Sequence, residues 1–232
     1  MTVAAVILAA SPASALADAD GAPAVRRIAD SAWAGGATPV VVVAVDPDGD
    51  VASALATAAV TLLDAGPAEL GPAGQIARGM AGAARLVGAT SAAIVWPVAF
   101  AWADAETVTT LIGVHGEAPG AVLRPSFEGV AGWPALIPMP ALEGVAGQPP
   151  GLGPAELLAG LAAGGLEVRP VDTGDPGTTH DLRVPRSSLP PFEGPPRPDD
   201  GVEREWGAQA AAQSDHAPPA GPARLANADP AS

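Results

Sequence analysis

The chain has 232 residues, of which 48% are hydrophobic and only 16% charged, and its formal net charge is −14. All eleven basic residues are arginine and cysteine is absent, which excludes lysine Schiff bases, lysine phosphate clamps, disulfides, thiolate catalysis and cysteine-ligated metals. The acidic balance argues against nucleic acid as a partner, because a phosphate backbone demands a basic face.

Residues 3–9 form an apolar run that predicts a buried strand. The small residues Ala13-Ser14-Ala15 behind it mimic a signal-peptide cleavage site, but no cation precedes the apolar stretch. No apolar run approaches the roughly 20 residues of a membrane helix, so no membrane is expected and the chain reads as cytoplasmic. Residues 22–34 predict a helix carrying Val25, Ile28, Ala29 and Trp33 at helical spacing, closed by Gly35-Gly36. Residues 39–45 are nearly continuous in β-branched side chains, the pattern of a strand covered on both faces. Asp46-Pro47-Asp48-Gly49 is a turn leading to a short helix over 51–58, and residues 60–64 predict a third strand. A loop over 65–71 then opens a helix over 72–87. Residues 92–98 predict a fourth strand, 104–114 a helix capped by Asp104, and 121–125 a fifth strand. Further strands are expected over 132–138 and 166–172, with a helix over 154–163 between them.

Such alternation implies a single three-layer, Rossmann-like α/β domain with a mostly parallel sheet over residues 1–189. Residues 190–232 form a Pro/Ala-rich tail with little apolar periodicity, expected to be extended or disordered. At its start, the segment Leu189-Pro190-Pro191-Phe192-Glu193-Gly194-Pro195-Pro196 reads either as a polyproline ligand for a protein partner or as a strap anchored on its own domain by Phe192.

Four segments carry the chemistry. The first is the opening strand Val3-Ala4-Ala5-Val6-Ile7-Leu8-Ala9-Ala10 with Ser11-Pro12-Ala13-Ser14-Ala15 behind it. The second, Gly71-Pro72-Ala73-Gly74-Gln75-Ile76-Ala77-Arg78-Gly79-Met80, is a glycine-rich turn into a helix. The third is Trp96-Pro97-Val98-Ala99-Phe100-Ala101-Trp102-Ala103-Asp104. The fourth pairs Gly132-Trp133-Pro134 with His180-Asp181-Leu182-Arg183-Val184-Pro185. In order and spacing, over residues 3–189, they resemble the MobA-like NTP transferases, the nucleotidyltransferases of molybdenum-cofactor synthesis.

The resemblance implies a nucleotidyltransferase domain that moves a nucleotidyl group from an NTP to a phosphorylated acceptor with magnesium. It places a nucleotide against Ala9, Ala10, Ser11, Gly71, Gly74 and Gln75, and it makes Asp181 a candidate metal ligand. Several of the family's residues are replaced. Ser11 stands for the glycine after the first strand and Ala15 for an arginine, while Pro12 deletes an amide. Arg26 and Arg27 are either substitutes reaching toward the phosphates or a solvated helix face. Ala99 occupies the place of the metal-binding aspartate in Pro-Val-Asp, and a methyl group ligates nothing. Trp133 replaces a histidine, and Arg183 replaces an aspartate and competes for Asp181. His180-Asp181 is then either a ligand pair or a structural cap. Gly71 and Gly74 are either anion-binding amides at a helix start or an ordinary loop-to-helix junction.

Other chemistries find less support. The three histidines, His115, His180 and His216, are far apart in sequence, and no Gly-x-Ser-x-Gly nucleophile elbow occurs. The expected function is a nucleotidyltransferase-like protein that is catalytically silent and acts as a binding or regulatory module. The alternative is an active NTP transferase with an altered site, using magnesium and an NTP. A nucleotide and a protein met by the tail are the expected partners.

Overall fold

The computed structural model describes residues 2–195. Its elements run β1 (Thr2–Ala9), α1 (Pro12–Ala15), α2 (Ala24–Ala34), β2 (Val40–Ala44), α3 (Asp50–Leu55), β3 (Val60–Asp64), α4 (Gly71–Leu86), β4 (Thr90–Pro97) and α5 (Ala105–Glu117). After these come β5 (Val122–Phe127), β6 (Val130–Ala131), β7 (Ala135–Pro138), α6 (Leu142–Ala146), α7 (Pro154–Ala163) and β8 (Val168–Asp172).

β1 is the centre of the sheet because seven of its eight residues are buried, so both of its faces need cover. It pairs in parallel with β2 on one side and β4 on the other, and β3 extends the parallel part beyond β2. Alternate side chains go to opposite cores, as the two-residue period of a strand requires. Val3, Ala5, Ile7 and Ala9 meet a core built from α2, α3 and α5, while Ala4, Val6 and Leu8 meet one built from α4, α6 and α7. The strand order is β3-β2-β1-β4-β7-β5-β6, with β8 added in parallel to β5. This is the expected three-layer α/β architecture.

Two details depart from the sequence reading. The apolar stretch over 132–138 supplies only the short β7, which inserts antiparallel between β4 and β5. Trp33 does not share the burial of its helical stripe: it is 56% exposed, while Ala32 is fully buried. At its end α2 approaches α5 closely: a Cβ on Gly35 would overlap Val108 and the Ala105 carbonyl.

Glycine plays the same part on the other face. A Cβ on Gly79 of α4 would run into Val6, and one on Gly82 into Leu63. The helix lies against the sheet only because those positions lack side chains. Gly79→Ala is therefore expected to destabilise the fold by about 1–3 kcal/mol, read as a lower urea midpoint at unchanged slope.

His115, on α5, is fully buried. Its Nε2 lies 3.1 Å from Ser91 Oγ, and its Nδ1 has no partner. Burial lowers its pKa from the ordinary value of 6.5, with no charged neighbour contributing. The unfolded chain therefore takes up this proton first as pH falls. Stability is complete above the ordinary histidine pKa and is lost on acidification through it toward the folded value. Replacing His115 with Leu leaves Ser91 Oγ its second partner, the Thr2 carbonyl at 3.2 Å. The variant should lose less Tm than the parent between about pH 7.5 and about pH 5.5.

Candidate functional site

In open α/β sheets ligands bind beyond the C-terminal ends of the parallel strands. Here that edge is made by the loops after β1, β3 and β4, and by the chain that follows β8. Ala9 is buried at the end of β1 and Ala10 is exposed just beyond it. Ser11 then starts α1, a single turn closed by reciprocal serine bonds. The Ser14 amide donates to Ser11 Oγ at 3.2 Å and the Ser11 amide to Ser14 Oγ at 3.1 Å. Ala15 N and Leu16 N donate to the carbonyls of Ser11 and Pro12. With proline at position 12, four of the amides that a phosphate cradle would offer are already satisfied within the turn.

Gly71, Gly74 and Gln75 all lie in the first turn and a half of α4. Gly71 has φ +59°, and a Cβ there would strike the Pro150 carbonyl of the loop between α6 and α7. A Cβ on Gly74 would come within 2.7 Å of Leu70 Cβ. Packing alone accounts for both glycines. Gln75 is half-buried beside them.

At the end of β4, Ala99 is exposed, and its carbonyl accepts the Leu182 amide at 2.8 Å. Arg27 reaches this edge from α2. Its Nε donates to the Ala101 carbonyl at 3.0 Å, and its guanidinium lies 5.4 Å from the Trp102 ring centroid. Arg26 instead pairs with Asp30 at 2.8 Å and donates to Thr57 Oγ1. Trp102 Nε1 donates to the Val184 carbonyl at 2.9 Å. Trp133, only 6% exposed, packs against Phe100 with centroids 6.5 Å apart, and Arg124 lies 5.5 Å from its ring.

The chain after β8 contributes Asp175, which the sequence reading did not single out. It is buried, and its Oδ2 accepts the Asp104 amide at 2.8 Å and the Thr107 hydroxyl at 2.7 Å. Its Oδ1 accepts the Gly177 amide at 2.8 Å. Burial raises its pKa, and the three hydrogen bonds work in the opposite direction. The only sequence signal was the turn-like triplet Asp175-Pro176-Gly177. Asp104 itself caps α5 as expected, accepting the Ala105 amide.

His180 is turned into the same segment, its Nδ1 donating to the Pro176 carbonyl at 2.8 Å. Asp181 is held by Arg183, whose Nε donates to both carboxylate oxygens at 3.0 and 2.9 Å. Those bonds keep the Asp181 carboxyl below the ordinary carboxylate range.

No protein-family model matches this chain, and no curated protein matches its sequence. Solved structures do match. The 2-C-methyl-D-erythritol 4-phosphate cytidylyltransferase of Thermus thermophilus superposes with a TM-score of 0.58 at 16% identity, over 80% of this chain and 94% of that one. A nucleotidyl transferase from Methanothermobacter thermautotrophicus gives 0.58 at 15% identity, over 74% and 87% of the two chains. This chain has the nucleotidyltransferase fold. Rv0371c of Mycobacterium tuberculosis, solved in complex with manganese, is similar at a TM-score of 0.57 and 14% identity, over 74% of this chain and 88% of that one.

A divalent metal on this nucleotidyltransferase fold would need hard oxygen ligands at the C-terminal edge. Ala99 offers no side-chain oxygen and its carbonyl is engaged, Asp181 is tied to Arg183, and Asp104 caps a helix. Among the described residues no group of three or more His, Asp or Glu is placed to hold a metal ion. The residues present do not fit the group.

Removing the Asp175 carboxylate would orphan two amides and a buried hydroxyl. Asp175→Ala should therefore cost about 1–3 kcal/mol in urea unfolding, and Asp175→Asn, which keeps one acceptor oxygen, less.

Proposed function

We propose that this protein is a catalytically silent relative of the molybdenum-cofactor nucleotidyltransferases, keeping their scaffold as a cytoplasmic binding or regulatory module. The observation that carries the reading is the turn after β1. Nucleotidyl transfer is positioning plus neutralisation of phosphate charge, and it needs free amides and cations where the triphosphate lies. Here the amides of residues 11 and 14–16 are bonded within the turn. The loop's charged side chains up to residue 20 are Asp18 and Asp20, carboxylates that would repel phosphate.

Ala99 and the Asp181–Arg183 pair extend the argument to the metal, and Trp133 packed on Phe100 extends it to the neighbouring wall. The active alternative asks Asp181, Asp104 and the arginines to take new roles. Each of those carboxylates already has a structural partner, and Arg27 lies over Trp102. What the reading leaves is binding: a nucleotide at Ala9, Ala10, Ser11, Gly71, Gly74 and Gln75, held through contacts other than to its phosphates, and a protein partner met by the tail. Residues 190–195 lie within the described residues, with the Glu193 amide donating to the Gly174 carbonyl at 3.3 Å; residues 196–232 fall outside them.

Calorimetric titration with ATP, GTP and CTP, with and without magnesium, tests the reading. No metal-dependent binding in the micromolar range is expected, and finding it would overturn catalytic silence. The double variant Ala99→Asp with Ser11→Gly should remain without nucleotidyl transfer, because the loop still lacks a cation. Turnover in that variant would show that the phosphate charge is neutralised from elsewhere.

A further inference from the structure

Beyond β8 the chain crosses the C-terminal edge as a strap, and two cavities open beside it. One, of about 260 Å³, is lined by Asp18, Asp20, Leu182 and Pro185 among others. The second, of about 150 Å³, is lined by Asp104, Leu189, Pro190 and Phe192 among others. Trp102 and Arg186 line both, so Arg186 is the one charged side chain shared between them.

Arg186 is seated loosely. Its Nη1 lies 3.8 Å from Asp20 Oδ2, beyond hydrogen-bond distance, and the two side chains are 44% and 63% exposed. A pair of this kind contributes little to stability. Turning Arg186 outward would join the cavities into one groove within the range of small-molecule sites, which starts at roughly 300 Å³. Its walls would be Trp102, Leu182, Leu189 and Phe192, and its acidic groups Asp18, Asp20, Asp104 and the internally bonded Asp175. Arg27 is committed to the Trp102 ring and to the Ala101 carbonyl. The groove would then be net negative, with apolar sides.

We propose that this groove is a binding site for a small alkylguanidinium molecule, and that Arg186 of the strap occupies it in cis. The chemistry is that of Arg186 itself: a flat cation facing a carboxylate, on an alkyl stem lying along aromatic and aliphatic walls. The groove shares the loop carrying Asp18 and Asp20 with the edge of the crevice proposed for a nucleotide and differs from that crevice in charge preference, taking a cation that carries no phosphate. Its failure would leave the reading of that crevice unchanged.

The probe is agmatine, titrated calorimetrically into the full chain. Arg186→Ala vacates the groove at an exposed position and should bind agmatine more tightly than the parent by a factor of up to about five, the ceiling set by the weak pair it breaks. Adding Asp20→Asn to that variant should remove a comparable factor. Asn suits the position, because residue 20 has φ +63° and Asn tolerates the left-handed region. Neutral butylurea should not compete. Equal affinity of parent and Arg186→Ala, binding indifferent to Asp20, or competition by butylurea would each overturn the proposal. Binding of an arginine-containing peptide without binding of agmatine would assign the groove to a protein and overturn it as well.

Discussion

A buried carboxylate sets the shape of the C-terminal edge. Asp175 takes hydrogen bonds from the first turn of α5 and from its own turn, so the chain leaving β8 is tied to the chain leaving β4. A buried carboxylate is tolerated when hydrogen bonds offset its desolvation, and the three that Asp175 accepts hold the segment in one place. The rest of the edge follows from that tie. Gly177 is packed so closely on the Trp102 carbonyl that a Cβ would collide with it, and Gly132 stands in the same relation to Thr178. Leu182 then reaches Ala99, and Val184 reaches Trp102.

The polar groups and open positions of this edge are met from within the chain: serine bonds in the turn after β1, the Leu182 amide on Ala99, Arg183 on Asp181, and Phe100 with Arg124 around Trp133. Such internal pairing stabilises the fold and leaves those donors and acceptors little to gain from an outside partner. The strands framing the site meanwhile keep the burial and register of an ordinary doubly covered sheet.

Much of the frame was legible in the residues. The nearly continuous β-branched run at 39–45 predicts a strand covered on both sides and the apolar run at 3–9 a buried strand; Val40–Ala44 and residues 3–9 are buried, while Val45, just past the strand, is 41% exposed. Asp104 followed by a helical pattern predicts a cap, and it caps. The competition between Arg183 and Asp181 was readable from two residues of separation. Trp33 misled because helical spacing gives a direction around an axis and not the place of what covers that face; it is exposed beside the buried Ala32. Asp175 was missed because nothing local distinguishes a turn aspartate from one buried against a helix seventy residues earlier in the chain.

By itself the sequence determined the order of elements, the two-sided burial of the central strands, and the absence of lysine, of an arginine in the loop after β1 and of a carboxylate at position 99. Those are properties of composition and of short periods, which a chain carries before it folds. Only the tertiary structure decided how that edge is arranged: that Arg27 lies on Trp102, that the amides of residues 11 and 14–16 are bonded within their own turn, that β7 runs antiparallel between β4 and β5, and that Arg186 lines two cavities. Each depends on contacts between residues far apart in the chain, whose partners are chosen by packing and hydrogen-bond satisfaction across the whole fold.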